Sequence, residues 1–528
     1  MNIEQILDTF LRHSPALIVA IPLLGAFLTP LISKINEKAR NAFVIITILA
    51  TNFFIFLLAS DVFAGNIHTY VFGARNISTP LVRILFEVDG LSAFMIIIAG
   101  ILSLAAVIYS WSFMKENTGL DKFYTLMLLM TAGMLGMMLT GDMFNFFVFL
   151  EITSIASCAL IAFWTNKGKA VEAGFKYITI SAIGALFVLF AIALLYAQYD
   201  ALNIAVLANN IQYTFLDKIA LVVLIAALAM KAGIVPMHMW LPDAYGRAPA
   251  SVTLLLVGAT QASLYGVFRV CFTLYGKRLG TTIAGSIGEG ISLYILLGTI
   301  LVILAIVTIL IGVMMALKQI DFKRMIAYAA VAEIGYMFLA VGAGLTTLGT
   351  AVSMNAIKGG IFHIINDALD VGLLFLVAGA IYYATKQTSL NNMGGLARNM
   401  KYTTVFFLIG LLAVSGMPPL NGFASKILIY ESVYQVNPVL SIVAILCSIL
   451  LLAVFIKVFH SAFLGPEQPD LKDVKEVPKS MLLAMGLIAC MIVFFGLFPE
   501  MVVNNIVQPA ANALASNMNY ISQVTGVI

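Results

Sequence analysis

Three ionisable side chains stand inside long apolar runs of this sequence. Glu151 follows the run MFNFFVFL, Lys231 lies in ALAMKAGIVP, and Lys426 ends the run GMPPLNGFASK. A charge at the middle of a bilayer costs at least about 2.5–3.5 kcal/mol on insertion scales, so such groups pair, face a bundle interior or line a hydrated path. Removal from water favours release of a lysine proton, whereas a neighbouring carboxylate retains it. A lysine that can pair with a glutamate is therefore suited to holding and releasing a proton.

Other charged residues interrupt the apolar runs as well. Glu333, Asp367 and Lys358 fall inside them and extend the set of candidate groups for ion translocation. Arg269 and Lys457 lie within reach of the end of a run, which favours a structural ion pair or a side chain extended towards water. For each of these five positions, a role in ion transport and a role in packing are the two alternatives.

The composition identifies the kind of protein in which these charges occur. Of its 528 residues, 62% are hydrophobic and only 10% are charged, against roughly 25% charged in soluble domains. The apolar residues form runs of about 17 to 25, the length that crosses a bilayer as a helix. The sequence therefore predicts an all-α polytopic membrane protein with about fourteen transmembrane helices. The tail after Pro499 is weakly amphipathic and is expected to lie along the surface.

The sequence lacks the patterns that hold metals or phosphates. The four cysteines are isolated on apolar segments, and the five histidines form no HExxH pattern. No phosphate loop of the ATPase type is present. We therefore expect no cofactor, no metal and no redox active site in this chain, and no nucleic-acid partner.

Two of the predicted spans carry helix breakers beside a lysine. Pro236 follows Lys231 in the seventh span, and the twelfth combines Pro418 and Pro419 with Lys426. Paired interrupted segments in two halves of a chain point to the ion or substrate site of a transporter. We predict two five-helix repeats, spans 4–8 and 9–13, which must be inverted because five is odd. The predicted divisions are residues 1–122, 123–275, 276–465 and 466–528, the last holding span 14 and the tail.

Basic residues predict the orientation in the membrane. Alternate loops carry most of the lysines and arginines, and the positive-inside rule assigns those loops to the cytoplasm. Both termini are then expected outside a cell membrane that the chain crosses many times.

Four segments of the chain resemble one family. They are GDMFNFFVFLEI, MKAGIVPMHMWLPDAYGRAPAS, LKQIDFKRMIAYAAVAEIGYM and GMPPLNGFASK. The set resembles the antiporter-like subunits shared by Mrp-type cation/proton antiporters, the proton-pumping arm of complex I and membrane-bound hydrogenases, and is most similar to the D-type Mrp subunit. The resemblance implies a pairing of Glu151 with Lys231, a polar axis at mid-membrane, and Lys426 at the far end of that axis.

The sequence departs from this pattern near the centre of the axis. Gln261 stands where the family commonly has a lysine, and Val371 replaces a second one. The resemblance leaves a route through Gln261, His363 and Asp367 with bridging water, with Lys358 and Glu333 as neighbouring candidates. His238 lies beyond Pro236, so a hydrogen bond to loop backbone competes with a relay role there.

The resemblance implies a function in a larger assembly. We expect a subunit that translocates protons, with or without coupling to sodium, in a multisubunit Mrp-like, hydrogenase-like or complex I-like complex. Metal or iron–sulfur centres would then belong to partner subunits. The alternatives are a stand-alone secondary transporter of an organic solute, and a structural membrane subunit whose proton path has degenerated.

Overall fold

The computed structural model describes residues 3–72, 84–276 and 292–525. These residues form a bundle of α-helices and one two-stranded antiparallel sheet, in which β1 (His68–Val71) pairs with β2 (Leu85–Val88). The helices of the first half are α1 (Ile3–Ser33), α2 (Glu37–Phe63), α3 (Gly90–Phe113), α4 (Leu120–Leu139), α5 (Met143–Ile161), α6 (Gly168–Tyr199), α7 (Ile204–Asn210), α8 (Phe215–Ala232), α9 (Trp240–Arg247) and α10 (Ala250–Phe268).

The second half continues the bundle. Its helices are α11 (Leu293–Lys318), α12 (Phe322–Thr346), α13 (Ala351–Thr385), α14 (Leu396–Asn399), α15 (Lys401–Val414), α16 (Asn421–Val436), α17 (Pro438–Val458), α18 (Lys479–Leu497), α19 (Pro499–Val502), α20 (Gln508–Ala515) and α21 (Asn517–Thr525). Short 3₁₀ or π-helical turns lie at Met237–Met239, Arg269–Leu274, Leu390–Asn392, Phe459–Leu464, Pro469–Leu471 and Val503–Val507.

The number of spans agrees with the sequence prediction. Thirteen helical segments in the described residues are long and apolar enough to cross a membrane. One further span is divided into α15 and α16, of 14 and 16 residues, each shorter than the roughly 20 residues that cross a bilayer. The prediction of an all-α membrane protein with about fourteen spans is confirmed.

Both predicted helix breaks are present and are built alike. The seventh span stops at the end of α8, where Gly233 has φ of +91°, and resumes in α9. The twelfth stops at the end of α15, where Gly416 has φ of +68°, and resumes in α16. A positive φ is the left-handed conformation that glycine adopts without steric cost. In both breaks a proline, Pro236 or Pro419, follows the glycine by three positions and is preceded by a cis peptide bond.

Further details recur between the two predicted repeats. Asp142 caps the N-terminus of α5, and Asp321 caps the N-terminus of α12. Asp200 ends α6 and Lys386 ends α13, both in the left-handed conformation. The eighth and thirteenth spans each finish in a π-helical turn. These correspondences pair spans 5, 6, 7 and 8 with spans 10, 11, 12 and 13. The limits of the four predicted divisions stay predictions, and the one after residue 275 adjoins residues 277–291, which lie outside the described part.

The candidate charges are carried by the most buried helices. The apolar cores of α12 and α13 are entirely buried, whereas less than half of the residues in those of α11 and α17 are buried. Glycine allows α11 to approach α12 closely: a Cβ at Gly312 would stand 2.6 Å from the backbone nitrogen of Ala332. Glu333, His363 and Asp367 consequently lie inside the protein rather than facing lipid.

The C-terminal tail covers one end of the bundle instead of only lying along its surface. Tyr520 is buried, and its ring lies 4.8 Å from the guanidinium carbon of Arg269. Arg269 in turn donates to both carboxylate oxygens of Asp89 and to Ser92. This buried pair gives Arg269 the structural environment that its position near a span end predicts.

Candidate functional site

Lys231 is enclosed near the end of α8 by two serine hydroxyls. Its Nζ donates to Ser154 Oγ at 2.8 Å and to Ser181 Oγ at 2.9 Å. Ser181 Oγ also donates to Ser154 Oγ at 2.9 Å, so lysine and hydroxyls form a closed triangle. The lysine side chain is 5% exposed. We call Lys231, Ser154 and Ser181 the serine cage.

Glu151 lies beside the serine cage but is not hydrogen-bonded to it. Its Oε1 is 3.9 Å from Lys231 Nζ, and that oxygen is buried without a hydrogen-bond partner. At this distance the two charges attract, but the separation exceeds that of a hydrogen bond. Glu151 is 28% exposed, so it is reached from outside the bundle while Lys231 is not. Glu151 and Lys231, which were expected to pair, therefore lie close together without a hydrogen bond between them.

A small cavity extends from the serine cage towards α10. It has a volume of about 20 Å³ and is lined by Lys231, both serines, Thr260 and Ser263, among other residues. A polar cavity of this size holds about one water molecule. The cavity therefore joins Lys231 to the helix that carries Gln261.

Gln261 and Asp367 meet at the centre of the protein. Gln261 Nε2 donates to Asp367 Oδ2 at 2.5 Å, linking α10 to α13, and both residues are buried. Gln261 Oε1 and Asp367 Oδ1 are buried without a partner. Buried polar atoms are nearly always hydrogen-bonded to protein or water, and both oxygens are free to accept from a donor.

A second buried lysine is tightly paired on the other side of the centre. Lys426 Nζ donates to Glu333 Oε1 at 2.8 Å, to the backbone oxygen of Val414 at 2.7 Å and to Ser448 Oγ at 3.3 Å. Lys426 and Glu333 are each 1% exposed. The ammonium also lies 4.6 Å from the centre of the Tyr336 ring, which attracts a cation.

His363 completes what we call the Lys426 cluster, namely Lys426, Glu333, His363, Ser425 and Ser448. Its Nε2 is 2.9 Å from Glu333 Oε2. Its Nδ1 is 3.0 Å from Ser425 Oγ. Asp367 lies four residues further along α13, one helical turn from His363. The Lys426 cluster therefore adjoins the Gln261–Asp367 link.

The freed backbone groups of each helix break find partners near the lysine. In the first break, Trp240 Nε1 donates to the Met230 carbonyl at 3.1 Å, and Thr308 Oγ1 accepts from Val235 N–H at 3.2 Å. In the second, Lys426 satisfies Val414, and Ser448 Oγ donates to the Ser415 carbonyl at 2.9 Å. A helix can be interrupted inside a membrane only where such partners exist.

Two candidates from the sequence are not joined to this axis. Lys358 is half-buried and forms no hydrogen bond or ion pair with any residue that the structure describes. His238 lies in the 3₁₀ turn of the first break, where its Nδ1 is buried without a partner. In the described ranges no group of three or more histidine, cysteine or carboxylate side chains could hold a metal ion.

Sequence reasoning missed the partner of Lys426 and all four serines. The repeat correspondence offered a signal for the first: Glu333 occupies span 10, the counterpart of span 5, which carries Glu151. The lysines occupy spans 7 and 12, so a second glutamate–lysine pair follows from the symmetry. Serine has no comparable signal, because it is common in membrane helices.

Two models of known protein families match this chain, and one of them covers most of its central region. Residues 140–452 match the family model described as NADH:quinone oxidoreductase/Mrp antiporter, TM. Residues 77–124 match the model described as NADH-Ubiquinone oxidoreductase (complex I), chain 5 N-terminus.

Relatives match over nearly the whole chain. The N-type subunit of NADH-quinone oxidoreductase from Desulforudis audaxviator is 31% identical over 94% of this chain and 98% of the relative. The D-type subunit of the Na(+)/H(+) antiporter from Alkalihalophilus pseudofirmus is 29% identical over 90% of this chain and 92% of the relative.

A solved structure shares the fold. A chain of the membrane-bound sulfane sulfur reductase, an archaeal respiratory membrane complex, superposes with a TM-score of 0.85 and 27% identity, covering 97% of this chain and 99% of that one. The chain therefore belongs to the NADH:quinone oxidoreductase/Mrp antiporter family and is an antiporter-like membrane subunit of the type found in multisubunit Mrp, hydrogenase and complex I assemblies.

Proposed function

We propose that this subunit translocates protons across the membrane along the buried polar residues between Glu151 and Lys426. The observation that carries the proposal is the Lys426 cluster, in which an ammonium, a carboxylate and an imidazole meet at full burial. Buried ionisable groups are costly in a membrane and mark ion pathways. Apolar side chains of similar volume often stabilise a buried site as well as an ion pair does. A purely structural subunit would therefore not need these three groups.

Entry from the first half begins at Glu151, the more exposed member of the pair. Glu151 Oε1 is 3.9 Å from Lys231 Nζ, a distance that a small side-chain rotation or one water closes. The serine hydroxyls both donate and accept hydrogen bonds. The serine cage can thus stabilise Lys231 while Glu151 changes its charge, and the adjoining cavity provides water for the next transfer.

Transfer across the centre depends on Asp367 and water. Gln261 holds the carboxylate in place through its amide N–H, but an amide is not itself a proton carrier at neutral pH. Water at the unpartnered oxygens of Gln261 and Asp367 would connect the cavity to His363, which shares α13 with Asp367. From His363 the proton reaches Glu333 and Lys426.

Sodium coupling is a second candidate that the oxygen-rich surroundings of Asp370 favour. Asn421 Nδ2 donates to Asp370 Oδ1 at 3.0 Å and to Asn366 Oδ1 at 3.1 Å, while Asn421 Oδ1 is buried without a partner. Carboxylate and amide oxygens are the ligands that hard cations prefer. The name of the Na(+)/H(+) antiporter relative agrees with this candidate.

The test uses the purified native complex in vesicles that contain a pH-sensitive dye. We expect Lys231→Met and Lys426→Met each to reduce proton movement at least tenfold, because each removes a charged group of the axis. Lys457→Met is the matched control, since Lys457 is an exposed lysine on α17 outside the axis. Full proton movement in both axis variants would contradict the proposal.

The ion and the alternatives are separated in the same vesicles. A proton signal that requires sodium and is lost with choline would support coupling to sodium. Proton movement that is independent of sodium would support proton translocation without coupling to sodium. A wild-type complex that moves no protons, with its redox or antiport partners active, would favour a structural subunit or a carrier of another solute.

A further inference from the structure

A second cavity lies at one end of the bundle, away from the polar axis. Its volume is about 350 Å³, and it lies where α6, α10 and α12 begin and α9 ends. Every charged residue of its lining is a cation: Lys167, Lys169, Arg247 and Lys323. No aspartate or glutamate is among the described residues that line it. We call this cavity the basic pocket.

The positive charge of the basic pocket is largely uncompensated. Arg247 pairs with Asp321 at 3.1 Å. Lys323 instead donates to the Ala248 carbonyl at 2.5 Å, and Lys167 donates to Tyr382 Oη at 2.9 Å. Neither lysine has a carboxylate within 4.0 Å in the part of the chain that the structure describes, and Lys169 is exposed there without a partner. Neutral acceptors orient the side chains of Lys167 and Lys323.

Three helices start at the basic pocket, and two of them, α6 and α10, add to this potential because only α12 has a capping carboxylate, Asp321. The first residues of α6, α10 and α12 belong to its lining, and the N-terminus of a helix carries about half a positive charge. The N-caps of α6 and α10 make no side-chain hydrogen bond. A Cβ built on Gly168, the first residue of α6, would meet no atom within 4 Å. An anion therefore has both charge and space at this point.

The remaining lining determines which anion fits. Phe113, Trp164, Phe322, Tyr382 and Met393 supply aromatic and apolar surface beside the cations. Tryptophan and tyrosine are enriched where a membrane protein meets the lipid headgroups, and basic pockets between transmembrane helices bind anionic headgroups. A small soluble phosphate would leave this apolar wall uncovered.

We propose that the basic pocket binds the phosphate headgroup of an anionic phospholipid. The phosphate lies among Lys167, Lys169 and Lys323, and the glycerol and upper acyl region lie against Phe113 and Trp164. This site is independent of the proton pathway, because none of the residues from Glu151 to Lys426 that form the axis belongs to its lining.

Trp164 provides a direct probe, because it is one of only three tryptophans in the chain. The full chain is reconstituted with phosphatidylglycerol or phosphatidylcholine brominated on the upper acyl chain, and quenching of tryptophan fluorescence is measured. We expect the anionic lipid to quench at least twofold more at equal mole fraction. Trp164→Phe should abolish this difference.

Charge variants then test the headgroup contact. Lys169→Gln should weaken the preference for phosphatidylglycerol about threefold without disturbing the fold, because Lys169 is exposed and unpaired in the described structure. Lys167→Gln tests the same contact at a second cation. The matched control is Lys472→Gln, which removes a basic loop residue that does not line the pocket.

Two results would overturn the proposal. Equal quenching by the two lipids, or a preference that persists in both pocket variants, would show that the pocket does not select an anionic lipid. Complete competition by inorganic phosphate at millimolar concentration would assign the pocket to a soluble anion instead. Retention of the lipid preference in excess phosphate is the expected outcome.

Discussion

The two broken spans place a lysine beside the same kind of break but surround it differently. Lys231 has two serine hydroxyls as hydrogen-bond partners and a partly exposed glutamate 3.9 Å away. Lys426 has a fully buried glutamate at 2.8 Å and a backbone carbonyl of its own break at 2.7 Å. In the first break a neutral indole, that of Trp240, satisfies the free carbonyl. At the first site the hydrogen-bond partners of the lysine are neutral and its glutamate is partly exposed, so we call it open. At the second site the lysine is hydrogen-bonded to a fully buried glutamate, so we call it closed.

Under the proposed function, this difference would divide the work between the halves. A charge pair held apart by about 4 Å and reached from outside changes its protonation with little rearrangement. A buried pair with short contacts resists such a change until another group, here His363, alters the charge balance. In the proposed pathway the first half would accept a proton, and the second would retain one until the axis is loaded.

Replacing the glutamate of each half should give the largest difference in stability between the two sites. Glu333→Gln leaves the Lys426 ammonium without its anion at full burial, and breaking a buried pair from one side costs about 3–5 kcal/mol. Glu151→Gln should cost less than about 1 kcal/mol, because a partly exposed pair at this distance contributes little. The midpoint of thermal unfolding in detergent measures both.

The two variants should resemble each other in transport, although they differ in stability. Both should reduce proton movement, because both glutamates belong to the proposed axis. Equal thermal midpoints for Glu333→Gln and Glu151→Gln would contradict the distinction between an open and a closed site.

The caps of the two glutamate-bearing helices offer a test of intermediate size. Burial raises the pKa of Asp142, the cap of α5, from 3.8 to about 6. A raised carboxyl pKa means that the cost of its charge is absent below pH 3.8, grows between pH 3.8 and 6, and is complete above pH 6, at most about 3 kcal/mol. Asparagine caps a helix as well as aspartate. Asp142→Asn should therefore stabilise the protein at pH 8 but hardly at pH 4.

Asp321→Asn is the matched substitution at the cap of α12. Asp321 is paired with Arg247, so its replacement should destabilise the protein slightly at pH 8 instead. Thermal midpoints at pH 4, 6 and 8 distinguish the two. A gain for Asp142→Asn that does not increase with pH would show that the charge of Asp142 is not costly.

The serine hydroxyls should give the smallest effect. Ser154→Ala removes one of two hydrogen bonds that Lys231 makes within the described structure, a loss of about 1 kcal/mol, and should slow proton movement severalfold. Ser448→Ala should matter less, because its hydroxyl is 3.3 Å from Lys426, which keeps Glu333 and Val414. The same vesicle assay compares them. If Ser448→Ala slowed proton movement more than Ser154→Ala, the expected order of the two sites would be wrong.

The fold was largely predictable because membrane crossing leaves a direct signal in sequence. Run length indicated the spans, and Pro236 and Pro419 indicated the breaks, since proline removes a backbone donor and clashes within a helix. The same runs placed Lys231 and Lys426 beside those breaks, and the family resemblance implied the pairing of Lys231 with Glu151. The surface position of the C-terminal tail was only partly right, because a short amphipathic segment does not reveal what it packs against.

The geometry of the site was less predictable. Hydrophobic patterning gives little information on rotation when a helix is apolar all round, as α12 and α13 are, so the pairing of Glu333 with Lys426 could not be read from α12 alone. The role of Ser154 and Ser181 depends on how α5 and α6 meet α8, which is decided by packing. The Glu151–Lys231 pair stays a prediction as a functional unit.

Lys426 also ties together the two halves of its own broken span. It is carried by α16, yet it donates to the last residue of α15, Val414, as well as to Glu333 and Ser448. A protonated lysine has three N–H groups, and all three are used here. A neutral amine has only two, so loss of the proton must release one of these contacts. The charge on one nitrogen is thereby linked to the mechanical connection between two helices.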